Sequence, residues 1–121
     1  MTIESYLILE NVAIESVDLN VFEYSDKRPG AGYSMRNSSM HTVQFQLDNF
    51  KGSLKLQGTL ELYPGENDWI DLDYDSGLPL NSLDSTALTL DEVRNFTGNW
   101  LWIRVAYVLE QGTIVSIRYN F

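Results

Sequence analysis

The segment LKLQGTLEL, residues 54–62, carries leucine or glycine at every second position and a polar residue at each position between. Side chains on one face of a β-strand repeat with this period of two. The leucines are therefore expected to lie on the core and the polar residues in solvent. Gly58, the small residue in the apolar row, predicts a bulge or a close approach of another group to the backbone.

The same alternation occurs in other segments, and periodicity predicts four strands in all. These strands are residues 43–47, 54–62, 101–109 and 115–121. Shorter apolar segments add four weaker strand predictions. These are residues 6–9, 17–22, 69–74 and 87–90. Residues 90–94 have the composition of a single helical turn, which is too short to change the fold class.

Glycine, proline and asparagine separate these segments at short intervals, as chain reversals require. Residues 49–52 predict a turn, and Gln111-Gly112 predicts a tight hairpin between the last two strands. About eight short strands joined by such turns are typical of a sandwich or a barrel. We therefore predict an all-β fold, in which residues 1–121 form a single-domain, antiparallel, jelly-roll-like β-sandwich.

The composition restricts the partners that the protein can have. The chain has 121 residues, which suits one hydrophobic core, and it has no cysteine, which excludes disulfides and thiolate metal sites. Its net charge of −9 repels phosphate backbones and anionic lipids, so neither nucleic acid nor a membrane surface is an expected partner. We also expect no secretory signal and no membrane span, because no apolar run is long enough.

The sequence offers little for catalysis. His41 is the only histidine, and it lies at the start of a predicted strand, where a surface position is expected. No serine lies in the Gly-x-Ser-x-Gly pattern of a nucleophile elbow, and no glycine-rich phosphate loop precedes a helix. Nothing marks two carboxylates as facing each other across a cleft. We predict that the protein is not an enzyme and needs no cofactor.

Three alternating aspartates form a weak candidate for a calcium site. Asp71, Asp73 and Asp75 would converge on a hard cation if they lay on a loop. However, the calcium-loop pattern requires glycine directly after the third acid and glutamate six residues after that glycine, where this chain has Ser76 and Ser82. On a strand, the same alternation gives an apolar inner face and an acidic outer edge that discourages aggregation. We favour the strand interpretation.

Two tryptophans and an arginine form the most distinctive surface candidate. Trp100, Trp102 and Arg104 share the face opposite the apolar row of the strand 101–109. If that face is exposed, it predicts a contact with a partner subunit or a stacking platform for a sugar. The alternative is that one or both indoles fill the core or lie under a loop.

A resemblance covers about residues 43–121. Its motifs are residues 50–60 (FKGSLKLQGTL), Asp68-Trp69, residues 96–105 (FTGNWLWIRV) and Gly112-Thr113-Ile114. This order of segments resembles a module in virion proteins of tailed bacteriophages, most of all small structural proteins of contractile-tailed phages, including those that infect cyanobacteria. The resemblance implies a structural role in the tail, neck, fibre or capsid surface, as in capsid decoration. It supplies no catalytic residues.

The residues and the resemblance together predict a non-enzymatic virion component. It would be made in the host cytoplasm, form a homo-oligomer and bind other virion proteins through Trp100, Trp102 and Arg104. The alternative is a carbohydrate-binding module that recognises a glycan receptor, which requires the tryptophans or several tyrosines to be exposed and coplanar.

Overall fold

The structure is a computed structural model that describes residues 5–33, 40–72, 80–81 and 87–121. In this part of the chain the regular structure is eight β-strands and one short 3₁₀ turn, Glu66–Asp68. The strands are β1 (Ser5–Val12), β2 (Glu23–Tyr24), β3 (Arg28–Pro29), β4 (Met40–Thr59), β5 (Ile70–Asp71), β6 (Leu80–Asn81), β7 (Leu88–Thr97) and β8 (Trp102–Asn120). The predicted all-β class is confirmed.

The strands form one antiparallel sheet that is not closed, built on the pairing of β4 with β8. This pairing runs from Thr42 opposite Asn120 to Thr59 opposite Trp102. At the Asn120 end, β1 joins β8 and β7 joins β4, which we call the β1/β7 half. At the Trp102 end, β2 and β3 join β8 while β5 and β6 join β4, which we call the β2/β5 half.

In the first part of β4, buried apolar residues alternate with partly exposed polar ones, as the sequence predicts. Val43, Phe45 and Leu47 are buried, and the glutamines between them are only partly covered. One continuous apolar cluster contains residues from both halves of the sheet. Its members are Ile8, Val43, Phe45, Leu47, Phe50, Leu54, Leu56, Leu72, Phe96, Ile103, Val105, Leu109, Ile114, Ile117 and Tyr119.

The predicted turn at 49–52 and the predicted hairpin at Gln111-Gly112 are both wrong. The chain continues in β4 and β8 at these places, and the two irregular sites lie opposite each other in the ladder. Asn49 and Gly112 have φ angles of 52° and 87°, and the register shifts around them. Residues that tolerate positive φ serve here as β-bulges, which bend a strand without ending it.

The bulges allow the sheet to fold back on itself. β8 has 19 residues, so it would be roughly 60 Å long if it were straight. Nevertheless, the Tyr119 hydroxyl near one end donates a hydrogen bond to the carbonyl oxygen of Pro29, which pairs with Trp102 at the other end. Arg28 Nε likewise donates to the carbonyl oxygen of Leu7, at 3.2 Å. The two halves therefore face each other across the core.

Two serines complete the pairing along one edge of β8. The Ser16 amide donates to the Leu109 carbonyl (2.6 Å), and its Oγ accepts from the Leu109 amide (2.8 Å). Ser25 makes the same pair of bonds with Val105, at 2.9 and 2.8 Å. The predicted strand 17–22 is wrong, because these residues form no strand and Val17 is fully exposed, and the chain rejoins the sheet only at β2.

Three other element boundaries differ from the predictions. The strand that contains residues 54–59 ends at Thr59, so Leu60 and Leu62 are exposed, while Gln57 and Thr59 are buried. The predicted strand at 87–90 is confirmed for residues 88–90 but continues to Thr97 as the ten-residue strand β7, so the predicted helical turn at 90–94 is wrong. The predicted strand 69–74 is represented by β5 alone, and residues 73 and 74 lie outside the described residues.

Candidate functional site

Trp100 lies just before β8 and packs against the backbone of Gly58. A Cβ atom at position 58 would be 2.7 Å from Cδ2 of the indole, which is closer than atoms can approach. The indole Nε1 donates to the carbonyl oxygen of Thr97 at 3.2 Å. The predicted close approach at Gly58 is confirmed, and Trp100 is half-buried as a packing element of its own chain.

Trp102 is also half-buried. The Lys27 ammonium lies 4.9 Å from its ring centroid, and exposed apolar residues follow Thr59, its partner in β4. The Trp102 Nε1 donates to the carbonyl oxygen of Leu62 at 2.9 Å, and its ring centroid is 4.6 Å from that of Tyr33. Leu60 is 64 % exposed and Tyr63 is 86 % exposed. We call this group the Trp102 surface, and its members are Tyr33, Leu60, Leu62, Tyr63 and Trp102.

Arg104 is held between two aromatic rings on the outer face of the β2/β5 half. Its guanidinium carbon lies 3.9 Å from the ring centroid of Tyr24 and 4.3 Å from that of Trp69. Its Nε donates to Gln57 Oε1 at 2.8 Å. Burial lowers the pKa of Arg104, although Tyr24 and Glu66 act in the opposite direction. A guanidinium between two rings, with a polar partner at its edge, is a stable packing arrangement.

The Arg104 stack explains why Gln57 is buried on a face that was expected in solvent. Gln57 Nε2 donates to Asp71 Oδ1 at 2.8 Å, and Lys55 Nζ contacts Asp71 Oδ2 at 3.2 Å. Burial raises the pKa of Asp71, but the bonds from Gln57 and Lys55 and the charge of Lys55 outweigh it and lower the pKa. These contacts connect Arg104 through Gln57 to the edge strand β5.

Asp71 is the only one of the three predicted calcium ligands that can be placed. Its carboxylate is engaged by Gln57 and Lys55. Asp73 and Asp75 lie outside the described residues. Among the residues that are described, no three histidine, cysteine or acidic side chains are grouped so that they could hold a metal ion. Calcium binding by all three aspartates stays a prediction.

His41 is fully buried, and the predicted surface position is wrong. Its Nε2 accepts a hydrogen bond from the Ala31 amide at 3.0 Å, and its ring stacks on Phe96 at 4.6 Å between centroids. An accepting Nε2 requires that a neutral ring carry its proton on Nδ1. His41 therefore fastens the segment after β3 to the start of β4.

A shallow groove on the outer face of the β1/β7 half was not found by sequence reasoning. It has a volume of about 330 Å³ and is lined by Thr42 and Gln44 of β4, Val93 of β7, and Arg118 and Asn120 of β8, with Tyr119 between them. The available signal was the row of polar residues that alternates with the core in β4 and β8. It becomes a groove only when the strands are placed side by side.

Comparison with protein-family models, curated proteins and solved structures found no match to this chain. Within the described residues there is no helix with the length and apolar character needed to cross a membrane.

Proposed function

We propose that the protein is a non-enzymatic structural component of a bacteriophage particle, in its tail, neck, fibre or capsid surface. It acts by binding copies of itself and other proteins of the particle. The resemblance of residues 43–121 to small structural proteins of contractile-tailed phages supports the identity of the particle. The Trp102 surface supports the mode of action.

The Trp102 surface is the single observation that carries the assembly role. Isolated apolar residues are common on protein surfaces, but a contiguous exposed group marks a site of interaction. The bond from Trp102 to the Leu62 backbone and the contact with Tyr33 hold these three residues together before a partner arrives. Tryptophan and tyrosine are also the residues that most often dominate the binding energy of interfaces.

The environment of His41 supports a non-enzymatic role. His41 is the only histidine of the chain, and its Nε2 is engaged by a backbone amide in the core. A general base must reach the proton that it removes from a substrate. Because the His41 ring is buried and its Nε2 already accepts a bond from the Ala31 amide, it is placed to stabilise the fold and not to take a proton from a substrate.

Solution mass tests self-assembly through the Trp102 surface. We expect light scattering to show an oligomer at high protein concentration, and Leu60→Ser with Tyr63→Ser to shift the mass to that of a monomer. Val17→Ser removes an even more exposed apolar side chain from a different loop, so it should leave the oligomer intact. A strict monomer at all concentrations, or an oligomer that the double variant preserves, would rule out this mode of assembly.

Membership in a particle is tested separately. Mass spectrometry of purified phage particles whose genome encodes this chain should detect it at a fixed ratio to the major structural proteins. If the chain is abundant in the infected cell but absent from the particles, the virion role is wrong.

A carbohydrate-binding module remains the alternative proposal. Trp100 packs on Gly58, and the indole nitrogens of Trp100 and Trp102 are both bonded to backbone oxygens of their own chain. The groove of the β1/β7 half offers a more open, polar surface than these tryptophans do. If the protein recognises a glycan receptor, we place the contact there.

A further inference from the structure

The groove is organised by the register of three strands. Gln44 lies opposite Arg118 on β8 and opposite Val93 on β7, so these three residues form one row across the sheet. Thr42 and Asn120 are paired in the neighbouring row. Because paired strands are about 4.8 Å apart, the row from Arg118 to Val93 is roughly 10 Å long. This length matches one sugar ring with its substituents.

Bonds to β7 orient two of the polar side chains. Gln44 Nε2 donates to Asp91 Oδ1 at 3.2 Å, and Thr42 Oγ1 donates to Asn95 Oδ1 at 2.9 Å. In both bonds the groove side chain is the donor, so Gln44 Oε1 and Thr42 Oγ1 can still accept hydrogen bonds from a ligand. Asn120 adds an amide that can both donate and accept. The groove therefore presents acceptors and donors side by side, as adjacent ring hydroxyls require.

Arg118 supplies the charge of the groove. Among the described residues its side chain has no hydrogen bond and no ion pair, although the chain has 17 acidic residues and only eight basic ones. The side chains that line the groove beside it are uncharged. A guanidinium with its planar fork of donors available is the preferred partner of a carboxylate, which it binds through two parallel bonds.

We propose that this groove binds a saccharide that carries a carboxylate. The carboxylate pairs with Arg118, the ring hydroxyls bond to Gln44, Thr42 and Asn120, and the apolar face of the ring rests on Val93, which is 53 % exposed. The net charge of −9 disfavours polyanionic chains at longer range, so a ligand with one carboxylate is preferred.

An acidic peptide suits the groove less well. Peptides that bind sheets commonly add a strand at an open edge and use backbone hydrogen bonds. The floor of this groove is the middle of the sheet, where β4 is already paired on both sides, with β7 and β8. Val93 is the only apolar side chain that lines it apart from Tyr119, whose side chain is in the core.

The site belongs to the carbohydrate alternative and does not depend on the assembly proposal. The groove lies on the outer face of the β1/β7 half, whereas the Trp102 surface lies at the Trp102 end of the other half. Loss of oligomer formation in the Leu60 and Tyr63 variant would leave saccharide binding unchanged. Loss of saccharide binding in an Arg118 variant would likewise leave oligomer formation unchanged.

Titration followed by ¹H–¹⁵N NMR tests the inference, with D-glucuronate as the probe. We expect saturable shifts at the amides of residues 42, 44, 93, 118 and 120 and at the Arg118 side-chain Nε–H. Glucose, which lacks the carboxylate, and acetate, which lacks the ring, should each bind at least tenfold more weakly. Arg118→Gln should weaken glucuronate binding by tenfold or more, while Lys27→Gln, which removes one positive charge outside the groove, should not.

Each contrary result overturns a defined part of the inference. Acetate binding as tightly as glucuronate would reduce the groove to an anion site. Glucose binding equally well, with no effect of Arg118→Gln, would remove the role of Arg118. Tighter binding of a short aspartate-rich peptide would replace the saccharide by a peptide. No saturable shift up to tens of millimolar glucuronate would refute the site.

Discussion

Gly58 and Trp100 show how one residue can determine the position of another that is distant in sequence. The indole occupies the space that a side chain at position 58 would need, and its Nε1 is bonded to Thr97. The ring therefore cannot move aside without losing that bond. Only glycine at position 58 allows β4 and the start of β8 to pack in this way.

Substitution of Gly58 by valine should destabilise the fold by about 1–3 kcal/mol, because overpacking displaces Trp100. Urea unfolding measures the change. Gly65→Ala is the matched control, since a Cβ atom there would meet Asp68 Oδ2 at an ordinary distance of 3.5 Å. It should change the free energy of unfolding by less than about 0.5 kcal/mol. Equal stability of the two variants would mean that the packing of Trp100 on Gly58 contributes little.

The side-chain surroundings of the predicted contact residues were only partly predictable. Alternation correctly placed Trp102 and Arg104 on the face opposite Ile103 and Val105. It could not show that Tyr24 and Trp69 would enclose Arg104. That enclosure depends on where loops far away in sequence return to the sheet, and periodicity within one strand carries no such information.

At the scale of elements, the two central strands were predicted as four shorter ones. Asn49 and Gly112 have the residue types of turns, and locally they have the positive φ of turns. Whether such a site reverses the chain or bends it depends on what lies opposite. Here each site faces the other, so β4 and β8 stay paired on both sides of the irregularity. A single sequence does not contain this long-range register.

Asn49 provides a test of the bulge. Its φ of 52° is unfavourable for residues other than glycine and asparagine. Asn49→Ala should cost about 1 kcal/mol or more, whereas Asn49→Gly should change the free energy of unfolding by less than about 0.5 kcal/mol. Urea unfolding of the pair separates backbone strain from loss of the side chain. If both variants lose the same stability, the side chain of Asn49 matters and its φ angle does not.

The groove illustrates the same limit for a candidate site. Gln44 and Arg118 were correctly placed on the polar faces of their strands, but nothing in either segment pairs one with the other. Their proximity follows from the register of β4 with β8, and that of Val93 from the register of β7. The sequence therefore predicts that these residues are polar and on the outer face, but it does not predict that they lie together in one groove.

At the scale of the whole molecule, polar contacts across the core join the two halves of the sheet. The Tyr119 hydroxyl donates to the carbonyl oxygen of Pro29. Burial raises the pKa of Tyr119, and the nearby Tyr6 acts in the same direction while Arg28 opposes it. The hydroxyl thus keeps its proton over the ordinary pH range and acts as a constant donor.

Tyr119→Phe should destabilise the protein by about 1 kcal/mol, because the Pro29 oxygen loses its partner while the ring packing remains. Thermal or urea unfolding measures this change. Tyr63→Phe removes a hydroxyl from an 86 % exposed ring, and it should have no measurable effect. Wild-type stability of Tyr119→Phe would show that the bond from Tyr119 to Pro29 contributes little to holding the two halves together.

The pairing of β1 with the end of β8 also determines the order of events during synthesis. Ser5 lies opposite Asn120, and Val12 lies opposite Ile114. While the chain is still being made, β1 has no strand to pair with until residues 114–120 have left the ribosome. β4 likewise stays unpaired until β7 and β8 have been synthesised, because both of these partners follow it in the chain. Folding is therefore late and dominated by distant contacts, which makes it slow. An incomplete chain exposes unpaired, apolar strands and is therefore prone to aggregate.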